Sequence, residues 1–174
     1  MAEYPDLLTQ QRHRDLKGRE RDPWIRRVFL SLLVALLVAA LVNAFGQRSE
    51  TVHASGPEAS LEVHGPTRVR GGLLYQQRIT VHAVRDIAHP RLVLDQGWLD
   101  GQTLNTIEPA AVGESSRDGR LVLSYDQLSA GDQLVVYLQY QVNPTHVGRT
   151  DHAVELDDAE RPLARVGGTL TTFP

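Results

Sequence analysis

The side chains best suited to chemistry in this 174-residue chain are four histidines and a few clustered carboxylates, all in its second two-thirds. His64, His82, His146 and His152 are imidazoles of the kind that bind zinc, and His82 and His152 fall where strands could bring them together. Zinc needs three or four convergent ligands, each oriented by a further hydrogen bond, and these spacings match no characteristic ligand pattern. Asp157, Asp158 and Glu160 offer carboxylate oxygens to calcium in what reads as a hairpin loop. A solvated acidic turn explains them equally well. Asp95 and Asp100 flank Gly97-Trp98 as a pair for acid–base work, although aspartates so placed commonly cap turns. Ser115 and Ser116 precede Arg117-Asp118-Gly119, a composition that a turn alone accounts for. There is no Gly-x-Ser-x-Gly elbow, His-Glu-x-x-His pair or phosphate loop. The chain has no cysteine, and therefore no thiol chemistry. It is expected to be non-catalytic, with no cofactor and no metal.

Recognition is the better expectation. Trp98 sits in the Gly-rich connection Asp95-Gln96-Gly97-Trp98-Leu99-Asp100-Gly101. Exposed there, it would anchor a partner, because Trp dominates binding hot spots and loops carry recognition. Buried, it would close the edge of the core. Tyr137 is the second candidate, pointing outward beside Gln139 and Gln141 on a face suited to hydrogen-bonded contact.

The elements that would position these residues are strands. From Leu61 onward the hydrophobic period is two. Leu61 and Val63 open the series. Leu73, Tyr75, Ile79, Val81 and Ala83 then share a face opposite Gln76, Arg78, Thr80 and His82. Short strands are expected at 91–95, 103–107, 112–115 and 121–125, with Asp118-Gly119 as a type I′ turn between the last two. Gln133 to Val142 is the clearest, with Leu134, Val136, Leu138, Tyr140 and Val142 on one side. Val154 and Leu156 mark another, and Leu163 to Phe173 the last, with a break expected at Gly167-Gly168. No helical pattern competes. Seven or eight short strands in one domain indicate an all-β, antiparallel, immunoglobulin-like sandwich over 59–174.

Ahead of this domain stands an uninterrupted apolar run, Val28 to Phe45, with only Ser31 and Asn43 polar. At about 1.5 Å per residue its eighteen residues reach roughly 27 Å, enough for a single transmembrane α-helix. Residues 1–27 carry seven basic side chains, whereas Arg48 is the only one between the run and Arg68. That asymmetry predicts a cytoplasmic tail over 1–27 and an extracytoplasmic C-terminal portion, a type II single-pass topology in the cell membrane. Val42-Asn43-Ala44 also fits a signal-peptidase site, so cleavage after Ala44 is the rival reading. The length of the run and of its charged leader argue against it. Within the run Ser31, Ala35, Ala39 and Asn43 recur every fourth residue. Small residues so spaced let a second helix approach, making this stripe a candidate helix-packing face toward a protein partner. Residues 46–58, polar and ending in Ser-Gly-Pro, read as a linker.

Composition narrows the partners. Residues 46–174 hold sixteen Asp or Glu against eleven Arg, a net charge of −5 with histidine neutral, which disfavours nucleic acid. Lys17 is the only lysine against seventeen arginines, a bias that suggests a GC-rich bacterial genome.

The stretch Leu128-Ser-Ala-Gly-Asp-Gln-Leu-Val-Val-Tyr-Leu138 resembles the E–F corner of bacterial surface Ig-like repeat modules, where a small-residue turn leads into a long alternating strand. Arg78 to Val84 followed by Leu92-Val-Leu-Asp95 is similar to their B and C strands. The span 59–173 is likewise similar to exported domains of uncharacterised single-pass actinobacterial membrane proteins. The resemblance implies a spacer, adhesion or interaction unit without catalytic residues. The expected function is a membrane-anchored extracytoplasmic interaction or accessory module. The alternative is an envelope-facing ligand- or metal-dependent sensor or enzyme domain, which a deep polar pocket gathering His82, His152 and carboxylates would favour.

Overall fold

The computed structural model describes residues 22–42 and 46–174. The chain divides into two units, one containing the helix α1 (Asp22–Leu41) and one running from Gly46 to Pro174. α1 begins six residues ahead of the apolar run, because Pro23 is tolerated in a first helical turn and Arg26 and Arg27 are good helix formers. Pro23–Leu41 is long and apolar enough to cross a membrane.

The second unit is a two-layer β-sandwich of eleven strands. One sheet has the order β1 (Ser49–Ser55), β2 (Ala59–Pro66), β4 (Leu74–Ala83), β9 (Gln133–Val142), β6 (Gln102–Glu108). The other has β3 (Arg68–Arg70), β11 (Arg161–Phe173), β10 (Gly148–Asp158), β5 (Pro90–Leu94), β8 (Arg120–Ser124), β7 (Gly113–Arg117). Every pairing is antiparallel except β3 with β11. The predicted alternation places Leu61, Ile79, Val81, Val136, Leu138 and Tyr140 from one sheet against Leu92, Leu94, Leu123, Val154 and Leu156 from the other, all buried. Each such side chain contributes about 1.5–3 kcal/mol by leaving water. The Asp118-Gly119 turn joins β7 to β8 with both residues at positive φ, 52° and 74°, as a type I′ hairpin demands.

Two expectations need correction, and one strand was not foreseen. Residues 49–55, assigned to a linker, form β1 and pair with β2 along its whole length, from Ser49 opposite Pro66 to Ser55 opposite Ser60. Only Val52 and Ala54 face the core, so an edge strand with one wet face had the polar composition of a tether. β3 went unrecognised because three residues carry no period. β11 is not broken at Gly167-Gly168: the two glycines pair with Ala153 and His152, and a Cβ on Gly168 would lie 3.1 Å from the His152 ring nitrogen. Gly168 makes room for the His152 ring on the neighbouring strand.

Candidate interaction face

The outward face of the five-stranded sheet carries one side chain from every strand in a single transverse row. Thr51 on β1 pairs with His64 on β2, His64 with Arg78 on β4, Arg78 with Tyr137 on β9, and Tyr137 with Glu108 on β6. The period-two pattern of β9 turns Tyr137 outward because Val136 and Leu138 on either side of it are core. Tyr137 is 37% exposed.

The row is polar and only partly satisfied. The Thr51 hydroxyl and a ring nitrogen of His64 lie 2.7 Å apart. Arg78 reaches Glu62 on β2 at 3.6 Å, while its Nε is buried without a hydrogen-bond partner among the described residues. Tyr137 thus stands between a guanidinium and the Glu108 carboxylate position, with Gln139 and Gln141 further along the same strand face. The row is hydrogen-bonding and centred on Tyr and Arg, residue types that are enriched at protein interfaces.

The outward face of the other sheet is a concavity of about 510 Å³ lined by Arg91, Arg120, Glu155 and Asp157 among others. Its charges are largely matched. Arg117 meets Glu160 at 3.2 Å, and Glu155 takes Arg165 at 3.1 Å and Arg120 at 3.5 Å. Burial, helped by Glu155, holds the Asp157 carboxyl above the ordinary aspartate range.

Trp98 does not serve as an exposed anchor. It lies in the short 3-10 turn Gln96–Trp98 and is 1% exposed, with its indole N–H donating to the Ala153 carbonyl at 2.7 Å. Gly97 makes this docking feasible, since a Cβ there would collide with the Asp151 carbonyl. Trp98 packs against Tyr140, with ring centroids 6.0 Å apart, and Tyr140 stacks on Tyr75 at 5.5 Å. The residue that looked like a binding hot spot seals one end of the core.

The other expected sites disperse. His82 is exposed on β4 in one sheet, and His152 points inward from β10 in the other, so they do not meet. Asp158 accepts from the His89 amide at 2.9 Å and faces Arg161, while Glu160 faces Arg117 and Asp157 is partly buried. Asp95 caps the 3-10 turn through the Gly97 amide at 3.1 Å. Among the described residues no three His, Asp or Glu side chains are grouped to hold a metal ion. On α1, Ser31, Ala35 and Ala39 share a drifting face; Asn43 lies outside the described residues.

What the sequence did not reveal was register. Arg78 and Tyr137 were both read as outward, but their pairing with each other and with His64 and Glu108 depends on strand order.

No family model matches the chain, and no curated protein matches it. Among solved structures it is similar to the CARDB domain of a Pyrococcus furiosus protein in complex with di-metal ions, at 13% identity and a TM-score of 0.43 over 69% of this chain and 93% of that one. It is similar to CaCohA2 from Clostridium acetobutylicum at 10% identity and a TM-score of 0.43, over 61% and 85%. A FixG-related protein from Vibrio parahaemolyticus matches at 13% identity and a TM-score of 0.39, over 67% and 98%.

Proposed function

We propose that this chain is a single-pass membrane-anchored, extracytoplasmic interaction or accessory module, without catalytic activity, that recognises a protein partner on the outward face of its five-stranded sheet. The observation that carries the reading is the row from Thr51 to Glu108, with Tyr137 half-exposed beside Arg78. Tyrosine and arginine contribute large contact area and directional hydrogen bonds, the properties that concentrate binding energy. The sandwich supplies rigidity, so little ordering entropy is lost when a partner docks.

Anchoring is supported by the length and composition of α1 and by the seven basic residues of positions 1–27, ahead of the apolar run. Small side chains at Ser31, Ala35 and Ala39 would allow a second helix to approach within the bilayer. Topology is tested with single cysteines, which the chain otherwise lacks. In intact cells a membrane-impermeant maleimide is expected to label Ser115→Cys, and to label Gln11→Cys only after lysis. The reverse pattern, or recovery of the sandwich as a soluble fragment, would overturn the anchored topology.

A further inference from the structure

Three connections converge at one end of the sandwich, the end at which Arg48 leads into β1. The turn between β3 and β4 packs on the turn between β9 and β10, where a Cβ on Gly71 would lie 2.8 Å from the Pro144 carbonyl. The turn ahead of β6 joins them through the Asn143 amide, which donates to the Gly101 carbonyl at 2.9 Å. Gly71 and Gly72 donate to Phe173 and Val142, so the tips are held by backbone bonds on both sheets.

What these tips display is apolar. Leu74 is 61% exposed and Val147 56%, with Leu73 and Leu99 beside them also open to solvent. Nothing in the fold requires leucines at these turns. A polar residue would serve the backbone equally well, and a cluster of exposed aliphatic tips marks a contact surface. Arg48, Arg68, Arg70 and Arg149 lie at this end, together with Glu50, Asp100, Asp118 and Asp151. The opposite end is more acidic: Glu58, Asp86, Asp126, Asp132 and Asp158 stand against Arg85 and Arg161.

We infer that the Arg48 end of the sandwich is a lipid-contacting surface, with its aliphatic tips entering the headgroup region of a phospholipid bilayer and its arginines meeting phosphate. This rests on the anchored reading above. Aliphatic tips with arginines at the same end suit that interface, where the long side chains keep their charge at the phosphates while their stems cover apolar surface. The choice of lipid over a protein occupant follows from the chain itself. Only residues 42–48 separate the end of α1 from β1, at most about 25 Å when fully extended. Arg48 is fixed to this end, its carbonyl accepting from the Thr67 amide at 2.8 Å and the Thr67 hydroxyl at 3.2 Å.

The test uses the full chain in vesicles of phosphatidylcholine and phosphatidylglycerol, some lipids carrying a nitroxide. A polarity-sensitive fluorophore is attached to single cysteines at Leu74→Cys, Val147→Cys and, at the opposite end, Gln127→Cys. The expected result is a blue shift and loss of most of the emission at 74 and 147, with neither at 127. Arg70→Gln with Arg149→Gln is expected to reduce the shift on these vesicles. Protein that floats with the vesicles but shows no shift at 74 and 147 overturns the inference and leaves the anchor standing. Equal shifts at all three positions, or a shift in native membranes but not in lipid vesicles, also overturn it, the latter assigning the surface to a protein. Failure to float removes the anchor and the inference together.

Discussion

The imidazole of His152 stands edge-on to the indole of Trp98, with ring centroids 4.7 Å apart and planes at 68°. Two residues weighed in the sequence, one as a metal ligand and one as a partner anchor, are thereby packed against each other. Tyr140 and Tyr75 continue the aromatic contact into the five-stranded sheet, so this stack ties the two layers together at one end.

Burial lowers the His152 pKa below the usual histidine value of 6.5, despite opposing pulls from Asp95 and Asp151. The unfolded chain therefore takes up a proton at higher pH than the folded one. Stability is expected to be lost as pH falls from 6.5 toward the lowered folded value. Urea midpoints measured across that window should decline for the native chain and stay flatter for His152→Asn. Equal slopes would contradict the assignment.

The two stacked tyrosines should respond differently to loss of their hydroxyls. Tyr75 donates to the Gln102 side chain, whereas the Tyr140 hydroxyl is buried with no partner among the described residues. Tyr75→Phe is expected to cost about 1 kcal/mol, and Tyr140→Phe to be neutral or stabilising. Denaturant titration of both variants distinguishes the cases, and an equal loss from each would be inconsistent with this packing.

A two-point ion pair clamps the far end of the sandwich, with Arg161 Nη1 and Nη2 at 2.7 and 2.6 Å from the two Glu58 carboxylate oxygens. The hydrogen bond from Arg161 holds Glu58 below its ordinary value of 4.5. Its contribution is present above that value and is lost as pH falls through the lowered folded one. The pair is solvent-accessible and salt-screened, so Glu58→Gln should change Tm little at neutral pH and flatten its fall in acid. An unchanged acid slope would show that the pair is not coupled to folding.

Turn chemistry offers an opposed pair of substitutions. Gly119 sits at φ 74°, and a Cβ there would also meet the Gln96 amide, so Gly119→Ala should cost about 1–2 kcal/mol. Ala159 holds φ 56° in the β10–β11 hairpin without being glycine. Ala159→Gly should therefore raise Tm slightly, gaining at most about 1 kcal/mol. Thermal melts that move both variants in one direction would contradict these backbone assignments.

The sandwich was readable because alternation is a local property: Val136, Leu138 and Tyr140 declare a buried face whatever they pair with. The Asp118-Gly119 turn was readable because its backbone demands those residue types. β1 was not, since Val52 and Ala54 are its only inward apolar side chains and its outer neighbours look like linker. Trp98 misled for a different reason. A Gly-rich loop signals exposure, but here Gly97 serves to bring the turn against β10 and bury the indole. Tyr137 was picked out by its parity alone. Its setting beside Arg78 and Glu108 is long-range information, carried by strand order and register.

The most direct test of the recognition face is photocrosslinking in intact cells from a benzophenone amino acid at Tyr137, with Ser115 on the opposite sheet as the control. The account predicts a discrete crosslinked protein from position 137, absent from 115 and diminished by Arg78→Ala. Equal capture from both positions, or capture from 115 alone, would contradict the assignment of this face.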